Sequence, residues 1–170
     1  MKEIPEIERR FLLRSRPNVQ WSSIIDITQH YIQEGDLVKR LRFSADLIKP
    51  GERGEIEYIH KIMHSKGVFT EVHVDLPVDK YLETTHKAFK RLQKHRYVHK
   101  ENGLKFEVDE IIGVHLILME VELGDINQEI NFPPDIEKEI IMEVTGMKEL
   151  SNFALAKIID YNKWQLTTSK

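Results

Sequence analysis

The sequence contains no cysteine, which excludes disulfide scaffolds, cysteine zinc ribbons and thiol catalysis. Long apolar runs are missing as well. The longest nearly apolar stretch, Ile111–Met119, is interrupted by His115 and is far too short to span a bilayer. The opening Met1-Lys2-Glu3-Ile4-Pro5-Glu6 is charged throughout and does not read as a signal peptide. A soluble, cytoplasmic protein is the expectation. Neither sign of charge dominates: 25 Lys and Arg against 28 Asp and Glu leave a formal net charge of -3. That balance argues against a general nucleic-acid binder, which is usually basic. No Walker-type Gly-rich loop occurs, Gly51 with Gly54 reading as a turn, and no Gly-x-Ser-x-Gly nucleophile motif is present. Low-complexity tracts, solenoid repeats and long linkers are also absent, so residues 1–170 read as one domain. Its 41% hydrophobic and 31% charged residues suit a folded chain.

Period-two alternation between turn signals predicts strands near Glu3–Leu13, Ile27–Gln33, Leu37–Ala45, Glu55–His64, Val68–Leu76, Gln93–His99, Lys105–Ile112 and Leu116–Leu123. Gly-containing turns separate most of them. Asn102-Gly103 is the strongest hairpin signal, because both residues tolerate positive φ. Hairpin order makes the sheet mainly antiparallel. Helices are expected over Pro77–Leu92, from Pro133-Pro134-Asp135 to about Met142, and from about Asn152 to Ile159 with Ser151 as the cap. A short helical turn is expected within Pro17–Ile25. The class is α+β: a large antiparallel sheet or barrel with helices packed outside.

Residues two apart on a strand share a face. On that rule Glu6, Glu8 and Arg10 lie together, as do Arg40 with Arg42, Glu71 with His73 and Asp75, Lys94 with Arg96, Glu107 with Asp109, and Glu120 with Glu122. Lys61 opposes the apolar Ile62 in the same way. The plain explanation is a half-exposed sheet with its charged face in water. Two features favour another. Signs are mostly segregated strand by strand, whereas a solvated face mixes them, and seven strands repeat the pattern. Closing the sheet into a barrel turns the charged face into a lumen. Burying that many charges is costly without partners. A hard divalent cation, Mg2+ or Mn2+, would neutralise the carboxylates through oxygen ligands. A polyphosphate would neutralise the Arg and Lys group.

These residues resemble the CYTH family, the triphosphate tunnel metalloenzymes. The likeness runs through Glu6-Ile7-Glu8-Arg9-Arg10-Phe11, Arg40-Leu41-Arg42, Lys61, Lys94-His95-Arg96, Phe106-Glu107-Val108-Asp109 and Met119-Glu120-Val121-Glu122. It ends at Glu143-Val144-Thr145-Gly146, Ser151-Asn152 and Leu155-Ala156, covering about residues 4–158. The resemblance implies an eight-stranded antiparallel tunnel that binds a triphosphate-containing small molecule with Mg2+ or Mn2+. It implies that Glu6, Glu8, Glu120 and Glu122 hold the metal, and that Arg10, Arg40, Arg42, Lys61, Lys94 and Arg96 hold the phosphates. Glu71 and Asp109, with Arg10, are the implied catalytic residues, the two carboxylates supporting a second metal or positioning water. Hydrolysis of inorganic triphosphate is the first expectation. A class IV-type adenylate cyclase, a thiamine triphosphatase and a non-catalytic nucleotide or polyphosphate binder remain alternatives. The sequence departs from the family pattern at Arg10, where lysine is usual, and at His73, where a carboxylate is expected.

The eight histidines carry little further signal. His60 with His64 and His95 with His99 have zinc-like spacing only on a helix, and both pairs fall in strand-like segments. Trp21 and Trp164 read as packing residues, and Thr167–Lys170 as a frayed end.

Overall fold

In a computed structural model that describes residues 1–49 and 51–161, eight strands follow the period-two segments closely. They are β1 (Lys2–Leu13), β2 (Ser23–Glu34), β3 (Leu37–Asp46), β4 (Glu55–Ser65), β5 (Val68–Val74), β6 (Ala88–Glu101), β7 (Leu104–Ile111) and β8 (Ile117–Glu122). Every pairing among them is antiparallel, in the order β6-β2-β3-β4-β5-β1-β8-β7. The β6–β7 ladder joins the two ends and closes the barrel. Trp164 and Thr167–Lys170 lie outside the described residues.

All three helices are shorter than their sequence signals. Within Pro77–Leu92 only a 3-10 turn (Val78–Lys80) and α1 (Tyr81–Thr85) are helical, and Ala88 onward joins β6. In place of the helix expected up to Met142 are α2 (Pro134–Glu137) and β9 (Ile140–Glu143). Ser151 does cap the last helix, accepting from the Ala154 amide at 3.1 Å. That helix, α3 (Asn152–Leu155), gives way to β10 (Lys157–Ile158). No helix forms in Pro17–Ile25, where Trp21 packs on Tyr97 at 5.5 Å and β2 starts at Ser23.

One cause explains these shortfalls: open ladder positions outcompete marginal helix propensity. β6 must begin at Ala88 to pair Ile32 of β2. β1 outruns β5, which pairs it only up to Ile7, and β9 takes the edge beyond at Phe11–Leu13. β10 does the same for β6 at Lys90 and Arg91, short of the β7 ladder.

Apolar residues pack largely outside the barrel wall. Phe11, Tyr97, Phe106, Val108, Met119 and Val121 form one cluster, closed by Ile130, Phe132 and Ile136 of the α2 region. Leu41, Tyr58, Ile32 and Ala88 form another beneath Tyr81 of α1. The wall therefore has two sides, one dry and one charged, and the charged side faces inward.

Candidate functional site

The inward face lines a cavity of about 520 Å³. Glu6, Glu8, Arg10, Arg40, Arg42, Lys61, Glu71, Lys94, Arg96, Glu107, Glu120 and Glu122 all line it, as does His73. Asp109 does not: it is 1% exposed, on the same inward face as Glu107 but covered by Lys94 and Arg96, which grip it. Sign segregation along each strand becomes alternation between strands. Arg10 lies opposite Glu120, Arg42 opposite Glu57, Lys61 opposite Glu71, and Arg96 opposite Asp109.

At the centre sits Arg96. Its Nε and Nη2 donate to Asp109 at 2.7 and 2.8 Å, Nη1 donates to Glu107, and Nη2 also donates to Glu120. Burial opposes this charge, but Asp109, Glu120 and Glu107 outweigh it and hold the guanidinium pKa well above its ordinary value. Arg96 thus gathers three carboxylates, where the resemblance gives it a phosphate-holding role. Lys94 is fully buried and donates to Asp109 at 2.5 Å. Burial and then Arg96 push its ammonium pKa down.

Towards β4 and β5 the pairing continues. Lys61 bridges Glu6 and Glu8, the latter at 3.3 Å. Arg40 Nη2 donates to Glu71 at 3.2 Å, and His73 Nε2 lies 3.3 Å from the other Glu71 oxygen. Arg42 pairs with Glu57. The carboxyls are not equivalent. Burial, then Glu120, push Glu8 up to about 7, despite Lys61. Burial likewise raises Glu6 against the pull of Lys61. Glu120 is also deeply buried, yet Arg96, Lys94 and Arg10 hold it well below the carboxylate range.

Arg10 is 8% exposed and under-satisfied. Its Nη1 donates to the Leu150 carbonyl at 3.0 Å. Its Nε lies 3.3 Å from Glu120 without hydrogen-bond alignment, and Nη2 has no acceptor. Arg40 Nε and Arg42 Nε are unspent in the same way. Among the described residues, every buried side-chain polar atom lacking a hydrogen bond belongs to a residue lining this cavity, except His30 Nδ1. Buried polar groups are normally paired, so a lumen that concentrates the exceptions is shaped for a polar guest.

The carboxylates are hard oxygen donors of the type Mg2+ and Mn2+ take. Glu8 and Glu122 face each other across the β1–β8 ladder, and the raised Glu8 marks negative charge that a cation would relieve. Chemically the set fits such an ion. Among the described residues no three acidic or imidazole groups converge closely enough to hold one as they stand, because Lys61, Arg10 and Arg96 draw them apart.

Several lining residues escape the charge pattern. Glu57 shares its face with Lys61, and Lys105 with Glu107, so period-two counting could have found both. Lys105 pairs with Glu107 at 2.9 Å and Glu122 at 3.2 Å. Gln29 and Tyr31 carry no charge and gave no signal, while Thr145–Lys148 and Ser151–Phe153 show no alternation and were marked only in part, through the resemblance at Thr145-Gly146 and Ser151-Asn152. The histidine pairs hold no site: His64 bonds Thr70 and His60 the Val38 carbonyl, while His99 bonds the Gln20 carbonyl.

No protein-family model and no curated protein matches the chain. Solved structures do. The inorganic triphosphatase NE1496 is 28% identical, with a TM-score of 0.54 over 89% of this chain and 93% of its own. A second structure of NE1496, described as a hypothetical protein, gives 27% identity and a TM-score of 0.54 over 91% and 99%. The PH1819 protein from Pyrococcus horikoshii OT3 is 19% identical, with a TM-score of 0.50 over 95% and 98%, a likeness of fold alone. No helix among the described residues is long and apolar enough to cross a membrane. The chain is a closed antiparallel tunnel similar in fold, over most of its length, to the inorganic triphosphatase NE1496.

Proposed function

We propose that the tunnel hydrolyses a triphosphate compound in the presence of a divalent metal, with inorganic triphosphate as the first substrate. The observation that carries this reading is the set of unspent arginine donors: Nε and Nη2 of Arg10, Nε of Arg40 and Nε of Arg42, all from residues that line one cavity, are buried without an aligned acceptor. Guanidinium groups with free edges match phosphate oxygens in geometry and charge. The likeness to NE1496 supports the same reading.

Binding in this scheme is an exchange of partners. Arg40, Arg42 and Lys61 turn from Glu71, Glu57 and Glu6 towards phosphate oxygens, while Arg10 offers its idle Nε and Nη2 where it stands. The carboxylates of Glu6, Glu8, Glu120 and Glu122 would hold the cation, Glu120 still tied to Arg96 and Glu122 to Lys105. Mg2+ or Mn2+ bound there would screen the charge that grows on the phosphate oxygens. Because the two guests carry opposite charge, each would offset part of the cost of burying the other.

Glu71 orients the attacking water from the β5 wall. The water oxygen bonds to the terminal phosphorus as the bridging P–O bond breaks; the bonding pair leaves on the bridging oxygen of the diphosphate, and the attacking water gives up a proton to solvent or to that oxygen, leaving orthophosphate. Asp109 acts as a positioning residue: beneath Lys94 and Arg96, it fixes both of them, and Arg96 fixes Glu107 and Glu120. Rate enhancement in such a site comes from positioning and charge stabilisation, without a covalent intermediate.

A panel of inorganic triphosphate, thiamine triphosphate, ATP and GTP tests this, each titrated by calorimetry and assayed for phosphate release with Mg2+ or Mn2+. Metal-dependent orthophosphate release, strongest with inorganic triphosphate, is expected. Cyclic AMP from ATP would turn the reading to a cyclase. A tight complex without turnover would turn it to a binder.

A further inference from the structure

We propose that Thr145–Phe153 is a strap over the tunnel and that Arg10 ties it down when the tunnel is filled. The inference rests on the tunnel's taking a polyphosphate and adds how occupancy is sensed.

The strap is anchored at both ends. Thr145 Oγ1 accepts from the Arg10 amide at 2.9 Å, and the Val144 amide donates to the Arg10 carbonyl at 2.8 Å. At the far end, Lys90 Nζ donates to the Phe153 carbonyl at 3.0 Å, and the Phe153 ring meets Tyr31 edge to face at 5.2 Å. The middle is different. Met147, Lys148 and Glu149 are exposed. The backbone bonds of Leu150 to Met147 and of Ser151 to Lys148 stay within the strap. Among the described residues, one side-chain hydrogen bond reaches this middle from the barrel wall: Arg10 Nη1 to the Leu150 carbonyl.

That bond is made by the same guanidinium whose Nε and Nη2 lack aligned acceptors in the cavity. The guanidinium is rigid and planar, so its donors cannot be oriented independently. An oxyanion that engages Nε and Nη2 fixes the plane, and with it the direction of Nη1. The guest spends the idle donors and leaves the existing bond in place. Occupancy therefore strengthens the grip on Leu150 and closes the strap over a filled tunnel. Lysine at position 10 would present a point charge with freely turning donors, and would bind phosphate without transmitting orientation.

Amide hydrogen exchange at Leu150 and Ser151 tests this, with calorimetry on the same samples, with and without tripolyphosphate and Mg2+. In the wild-type chain, binding should slow exchange at both amides several-fold. In Arg10→Lys and Arg10→Gln, tripolyphosphate binds more weakly, so it is raised until calorimetry shows saturation; exchange at these amides should then stay unchanged on binding. Heat of binding with unchanged or faster exchange in the wild type overturns the strap and leaves the tunnel reading standing. No heat of binding overturns the tunnel reading, and the strap with it.

Discussion

Glu8 and Glu122 stand directly opposite each other on β1 and β8, a position where like charges repel. One step along the same ladder Arg10 faces Glu120, so the wall alternates a self-neutral pair with an acidic one. Lys61 compensates Glu8 from across the lumen and Lys105 compensates Glu122 at the mouth. A cation between the two carboxylates would remove that repulsion.

Replacing Glu8 by glutamine should lower metal-dependent turnover by orders of magnitude while leaving the fold intact. The amide keeps the shape but removes a charge that burial and Glu120 already disfavour. Circular dichroism and phosphate release on one preparation check both halves. Unchanged turnover would remove Glu8 from the metal set.

Stability without metal should fall as pH rises from about 4.5 towards 7. Glu8 holds its proton more tightly folded than unfolded, with a folded pKa of about 7. Its contribution is therefore complete below the unfolded value and lost as pH passes through the folded one. Urea midpoints against pH should show this slope, and Glu8→Gln should flatten it. Mg2+ binding near pH 6 should release protons, seen as a buffer-dependent heat in calorimetry.

Asp109→Asn should destabilise the chain by about 3–5 kcal/mol, because Lys94 would be left charged and fully buried without its partner. Denaturant unfolding measures the loss. A change below about 1 kcal/mol would mean that Lys94 is neutral in the folded chain or finds another acceptor.

Arg42→Ala should weaken tripolyphosphate binding about tenfold to a hundredfold, corresponding to one or two charge-assisted hydrogen bonds. It should also make binding less sensitive to salt. Titration at two ionic strengths reads both. Arg42 is half-buried, and its Nε is one of the donors awaiting an acceptor.

Much of the barrel was legible because a strand with one dry and one charged face writes its period into the chain. Phe11 with Glu8 and Arg10, or Val108 with Glu107 and Asp109, state both faces within a few residues. Neighbour relations were not legible. Nothing local says that Arg42 meets Glu57, or that Arg96 would be saturated by three carboxylates from β7 and β8. Asp109 has the same alternation as Glu107, yet it does not reach the open cavity, because Lys94 and Arg96 close over it. Helix ends were misjudged where ladder edges of β1 and β6 needed partners, a demand set by residues far away in sequence. Gly67 was legible only as a turn. Its φ of +76° and the Glu8 carbonyl 2.5 Å from where a Cβ would stand show that it also seats β1 against the β4–β5 hairpin.

Phosphorus NMR of tripolyphosphate incubated with the protein and Mg2+ tests the central claim most directly. Orthophosphate and diphosphate should grow in equal amounts, at a rate that vanishes when the metal is chelated and drops sharply in Glu8→Gln. An unchanged tripolyphosphate spectrum, with neither new resonances nor line broadening at any metal concentration, would contradict it.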